Sequence, residues 1–157
     1  MQIRRAEEKD VERILELLSQ VLELHARIRP DIFIPGTTKY TRAELVEIFQ
    51  DNRRPVYVAV DDADFVVGYA FCVFRSQPFS NNMIPFESLF IDDLCVDEKL
   101  RGRHVGRALV EHVQREAEKA GCYETTLNVW EGNDAARGFY EKLGFKPKET
   151  QMEFILK

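Results

Sequence analysis

Between Leu94 and Gly106 the chain reads LCVDEKLRGRHVG, an apolar strand that ends in a turn rich in Gly and Arg and opens directly into a helix. The N–H groups of a helix's first turn have no intrahelical acceptor, and the macrodipole places partial positive charge beside them, so this layout suits an anion. Gly102 and Gly106 permit close backbone approach, and Lys99, Arg101, Arg103 and Arg107 crowd the same few positions. The whole chain is acidic, with 22 Lys+Arg against 27 Asp+Glu and a net charge of −5, so a local basic island points to a polyphosphate ligand. Just upstream, Asp92 and Asp93 interrupt an otherwise apolar strand, Leu89 to Val96. A carboxylate there needs a wet cleft or a partner, and partial desolvation would raise its pKa towards that of a useful general base.

The spacing of the turn separates the known phosphate loops. No Gly-Lys-Ser or Gly-Lys-Thr occurs, which excludes a Walker loop, and the turn lacks the Gly-x-Gly-x-x-Gly of a dinucleotide fingerprint. It reads Arg-x-x-Gly-x-Gly from Arg101 to Gly106, with His104 in the first of those two glycine positions. Downstream, Asn133-Asp134-Ala135-Ala136-Arg137-Gly138-Phe139-Tyr140 is followed by Gly144-Phe145. Together these segments resemble the GNAT family of acetyl-coenzyme A-dependent N-acetyltransferases. Ile3 to Ala6, Asp10 with the helix after it, and Val66 to Ala70 extend the resemblance over nearly the whole chain. There is some similarity to the branch that acetylates polyamines, which carries an acidic pair at the point matching Asp92-Asp93.

The resemblance implies a set of roles. The backbone of Arg101, Gly102, Arg103, His104, Val105, Gly106 and Arg107 would cradle the pyrophosphate of coenzyme A. The amide-bearing pantetheine arm would lie along Leu94, Cys95 and Val96, where two parallel strands splay apart. Cys95 would then act through its backbone, and its thiol is read as core filler. Asn133 would cap the last helix or meet the pantetheine arm, Ala136 would adjoin the cofactor, and Tyr140 would be the general acid that protonates the leaving thiolate. Read without the family, Ala136, Phe139, Tyr140 and Leu143 are simply an apolar helical stripe, and Phe139 is core in either case. Asp92 is the first choice of general base, Asp93 the second and Glu87 the third. Because strand side chains alternate, Asp92 and Asp93 are expected on opposite faces of the sheet. His104, unlike a glycine, still offers its N–H if its angles are helical, and binding is expected to survive the exchange; His25 and His112 receive no role.

The elements that must hold these residues follow from pattern. The 157 residues suit a single N-acetyltransferase domain, 1–157, burying roughly 70% of its unfolded surface. Asp10 is expected to cap a helix running from Val11 towards Pro30, and Thr41 with Glu44 forms a capping box for a second. Val56 to Val60 and Phe65 to Phe74 read as a hairpin across the acidic turn 61–64. From Leu89 onward strand, helix, strand and helix alternate: 89–96, 105–120, 123–129 and 133–143. Gln151 to Leu156 reads as a last strand. The fold class is therefore α/β. The resemblance implies a three-layer α/β/α arrangement around a mixed, mostly antiparallel sheet with a splayed parallel pair.

Function follows as an expectation. The resemblance implies an acyltransferase that moves acetyl from acetyl-CoA, as cosubstrate and without metal, directly to a primary amine. The acceptor would be a small cationic molecule such as a polyamine or an aminoglycoside, or a peptide amine. It would be framed by the first two helices, the loop from Pro30 to Tyr40, and the segment Ser76 to Glu87 with Pro78 and Pro85; Phe33 and Phe79 are read as core before pocket lining. The alternative is a noncatalytic acyl-CoA-binding or sensing module. Acidic charge and one short basic patch instead of a stripe disfavour nucleic acid, so none is expected as a partner. No apolar run reaches the roughly 20 residues of a membrane span, and no apolar leader opens the chain. A cytoplasmic setting is expected from this, and three cysteines without ligand spacing suggest neither a disulfide framework nor a zinc site. A homodimer is expected from the family alone.

Overall fold

The computed structural model describes residues 1–76 and 80–157. The acceptor-segment residues Pro78 and Phe79 lie outside the described residues. Five strands, β1 (Gln2–Arg5), β2 (Val56–Val60), β3 (Val66–Ser76), β4 (Glu87–Val96) and β5 (Glu124–Leu127), form one sheet in chain order. The first four pair antiparallel; β4 and β5 pair parallel. The parallel pair needs a crossover, supplied by α3 (Val105–Lys119), whereas the short acidic connection 61–65 allows only a hairpin between β2 and β3.

Two apolar layers clamp the sheet. Val11, Ile14, Leu17 and Leu18 of α1 (Val11–Ile28) pack with Leu45 and Ile48 of α2 (Arg42–Phe49) on one face, over Val58, Tyr69 and Phe71. Val105, Leu109, Val113 and Ala117 of α3 cover the other face, over Tyr57, Ala59, Ala70 and Ile91. This double cover explains why Val66 to Cys72 is buried at every position and reads as an unbroken apolar run. Gly68 lies where β3 passes closest to its neighbours: a Cβ there would meet the Cys95 carbonyl oxygen at 2.9 Å.

Thr41 caps α2 as expected, accepting from the Glu44 N–H while Glu44 accepts from the Thr41 N–H. Asp10 does not cap α1. Its buried carboxylate instead accepts from Arg4 at 2.8 and 3.0 Å and from the Glu7 N–H at 2.8 Å, because a strand guanidinium within reach offers two charge-assisted bonds. The expected strand 151–156 is also corrected. That segment has no ladder partner among the described residues, and Met152, Phe154 and Leu156 are 87–90% exposed. Its alternation is strand-like, but its backbone joins no described strand. It is held by Glu153 to Arg29 at 2.7 Å and, upstream, by Lys148 to Glu124. The helix α4 (Asp134–Lys142) buries no residue fully, so Phe139, expected as core, is only half-buried.

Candidate active site

Pairing between β4 and β5 stops at Ile91 and Leu127, while β4 continues to Val96 against β3 alone. From Asp92 to Val96 the edge of β4 that faces β5 therefore has no strand partner among the described residues. This is the splayed gap, and Leu94, Cys95 and Val96 line it with backbone donors and acceptors. The Cys95 side chain is buried beside the Leu17 carbonyl, and burial pushes its thiol up to about 12, which leaves it protonated and inert.

The strand edge leads through a 3-10 turn, Glu98–Leu100, into the basic loop. Asp97 braces that turn: it accepts from the Lys99 N–H at 3.0 Å and pairs with Arg13 of α1. Arg101, Gly102, Arg103 and His104 are exposed, and the first bond of α3 runs from the Ala108 N–H to the His104 carbonyl. The N–H groups of Val105, Gly106 and Arg107 are thus left at the helix start without helical acceptors. Gly102 has φ +82° and needs its glycine. Gly106 is half-buried; a Cβ there would approach the Phe139 ring to 3.0 Å, so the glycine lets α4 close against the start of α3. His104 does not meet the condition of right-handed helical angles: it is left-handed, with φ 62° and ψ 14°. The turn demands a conformation that costs an L-residue roughly 1–2 kcal/mol, which is the physical reason for a glycine at this point of the pattern.

The acidic pair is arranged differently from the sequence expectation. The ladder pairs Phe71 with Asp93 and Cys72 with Ile91, leaving Asp92 as the extra residue of a β-bulge. The bulge breaks the alternation, so both carboxylates serve the α1/α2 side. Asp92 Oδ2 accepts from Lys39 Nζ at 2.8 Å and from the Tyr40 hydroxyl at 3.2 Å. Asp93 Oδ2 accepts from the hydroxyl of the fully buried Tyr69 at 3.1 Å. Desolvation, together with the neighbouring Asp92 charge, raises Asp93 to about 6, although Lys39 and the Tyr69 bond pull the other way. That is the pKa of a working base near neutrality. Glu87 is removed from the choice: it begins β4, five residues from Asp92, and is tied to Arg53 at 3.0 Å.

Tyr140 stands on α4 with its ring edge-on to Phe139 and Phe145. Burial, and secondarily the Asp93 charge, push its phenol well up, so it holds its proton. Asn133 Oδ1 accepts from the Ala136 N–H at 3.3 Å, which makes Asn133 the cap of α4 and brings Ala136 under it. Phe33 is half-buried between His25 and Trp130, at 5.1 and 5.5 Å between ring centroids, and belongs to neither core layer. His112 packs edge-on to Tyr57 on the far face. Sequence reasoning missed Lys39, Tyr40 and Tyr69, whose only local signal was a loop residue pair and an apolar strand position.

A sequence profile of the Acetyltransferase (GNAT) family matches residues 18–145, which include the splayed strand, the loop and α4. The chain belongs to this family. It is 37% identical over 107 residues to the peptidyl-lysine N-acetyltransferase YjaB of Escherichia coli, covering 67% of this chain and 60% of that protein. It is 28% identical over 123 residues to glucosamine 6-phosphate N-acetyltransferase 1 of Dictyostelium discoideum, covering 75% of each. The aligned stretch thus spans about three fifths of the YjaB relatives. Among solved structures, a mutant of the BH1408 protein of Bacillus halodurans superposes with a TM-score of 0.95 at 30% identity over 100% of both chains. The aminoglycoside N-acetyltransferase AAC(6')-Iy, solved with CoA, shares the fold at a TM-score of 0.74 and 20% identity over 99% of each chain. No described helix of this GNAT protein is long and apolar enough to cross a membrane.

Proposed function

We propose that this chain is an acetyl-CoA-dependent N-acetyltransferase acting on a primary amine of a small cationic molecule or a peptide. The observation that carries the reading is the unpaired edge of β4, Asp92 to Val96, which runs into an anion-binding helix start with Asp93 raised to about 6 beside it. Acetyl-CoA, when bound, supplies a thioester whose acyl carbon can accept an amine. The free N–H groups of Val105, Gly106 and Arg107 suit its pyrophosphate, and the exposed Arg101 and Arg103 suit its outer phosphate. The strand edge at Leu94 to Val96 suits an amide-bearing arm and offers an N–H to a polarised carbonyl oxygen. Asp93 takes the proton that an ammonium must lose. Tyr140, held protonated, returns one to sulfur.

Asp92 and Asp93 favour a cationic acceptor. The YjaB, glucosamine 6-phosphate and aminoglycoside relatives are all named for transfer to nitrogen, which supports an amine without choosing among them. The free thiols of Cys72, Cys95 and Cys122 suit a reducing cytoplasm. The exposed face of Met152, Phe154 and Leu156 supports a homodimer.

Thiol release from acetyl-CoA, measured against polyamines, aminoglycosides, amino sugars and lysine peptides with CoA binding followed calorimetrically, tests the proposal. Turnover with one amine class is expected. CoA binding without turnover across the panel would favour the sensing module instead, and absence of CoA binding would overturn the reading.

A further inference from the structure

The ammonium of Lys39 rests on the acidic floor of the acceptor side. Its Nζ lies 2.8 Å from Asp92 Oδ2 and 5.6 Å from the centre of the Tyr40 ring, whose hydroxyl shares the same carboxylate oxygen at 3.2 Å. A carboxylate, a second carboxylate next to it in sequence and an aromatic face are what a primary alkylammonium substrate would meet here. Lys39 reaches this place from the exposed loop between α1 and α2, and its side chain is still 42% exposed. It is thus tethered within the cleft and not locked into the core. The Asp93 charge acts on both Lys39 and Tyr140.

We propose that Lys39 is an intramolecular acetyl acceptor, its nitrogen occupying the site on Asp92 that an external primary amine must take. The inference rests on the N-acetyltransferase reading above. In the self-reaction the Lys39 ammonium gives one proton to Asp93, which passes it to water. The nitrogen bonds to the acyl carbon as the carbon–sulfur bond breaks. Sulfur leaves with the Tyr140 proton, and the second proton lost by nitrogen restores the tyrosine, so the products are acetyl-Lys39, free thiol and one released proton. Acetylation removes the charge that now pairs with Asp92 and leaves that carboxylate open to an external ammonium. The external substrate that fits is an unhindered amine on a flexible chain, as in a lysine side chain or a linear diamine, because that is the shape of the group already seated there.

Two measurements test this. The full chain is incubated with acetyl-CoA and no acceptor, then digested for peptide mass spectrometry. Acetyl-Lys39 is expected to form well before the adduct at Lys119, which is 72% exposed, and at a fractional rate independent of protein concentration. Equal modification of Lys39 and Lys119, or a rate unchanged in Tyr140→Phe, would mean chemical acetylation and overturn the proposal. Failure of Lys39 to react in a preparation that turns over external amines would overturn it while sparing the function; failure of both would overturn both. Separately, calorimetry without acetyl-CoA compares 1,5-diaminopentane binding to the wild type and to Lys39→Met. Removing the internal competitor is expected to tighten binding several-fold, and equal or weaker binding would overturn the shared-site claim.

Discussion

Tyr69 donates its hydroxyl to Asp93 at 3.1 Å from a fully buried strand position, so the core layer under α1 sets the protonation of a carboxylate in the cleft. Burial is the larger influence and raises Asp93 to about 6; the Tyr69 bond favours the charged form and opposes it. Removing the hydroxyl should therefore raise Asp93 further. In Tyr69→Phe the acidic limb of kcat/KM, which reports the free base, is expected to move up by about 0.5–1 pH unit, the equivalent of a hydrogen bond of about 1 kcal/mol. An unmoved limb would detach Asp93 from the reaction.

Asp93→Asn removes the base and should cost activity by about 100-fold or more with loss of that limb, while Asp92→Asn keeps the limb and weakens acceptor binding. The same change should stabilise the fold at neutral pH. A carboxyl whose folded pKa lies above its unfolded value binds more protons folded than unfolded between about pH 4 and 6, so wild-type stability falls as pH rises through that window. Asp93→Asn is expected to gain roughly 1–3 kcal/mol at pH 7 and little at pH 4, read from urea unfolding at both.

Tyr140→Phe keeps the ring contacts with Phe139 and Phe145 and deletes only the proton. Turnover is expected to fall by about 100-fold with CoA affinity unchanged. Equal turnover would make the hydroxyl a spectator.

His104→Gly should relieve the left-handed strain at the loop. Against the extra freedom glycine gains in the unfolded chain, a net stabilisation of up to about 1 kcal/mol is expected, with CoA binding kept. Gly106→Ala should do the reverse, since its Cβ would meet the Phe139 ring at 3.0 Å and that half-buried ring must give way by a few tenths of an ångström. Chemical denaturation with calorimetric CoA titration separates the two.

Phe154→Asp places a charge on the bare face of the C-terminal segment. Sedimentation is expected to show a dimer for the wild type and a monomer for the variant. A wild-type monomer would leave the homodimer proposal without support.

Local chemistry was readable from the residue string. The Thr41 capping box, the acidic hairpin turn, the Gly- and Arg-rich loop and the periodicity of α1 and α3 each depend on neighbours within a few positions, and the structure keeps all of them. The parallel pair followed too, because a helix between two strands allows no other pairing in one sheet. Three things depended on partners distant in sequence and were settled only by the folded chain. The bulge at Asp92 arises from register against Phe71 and Cys72, about twenty residues away, and it turned two carboxylates expected on opposite faces towards one cleft. Lys39, Tyr40 and Tyr69 became cleft residues only when a loop and a core strand met β4. The alternation at 151–156 shows what a segment could pair with, but pairing is decided by where the folded chain carries the segment, and among the described residues it joins no strand.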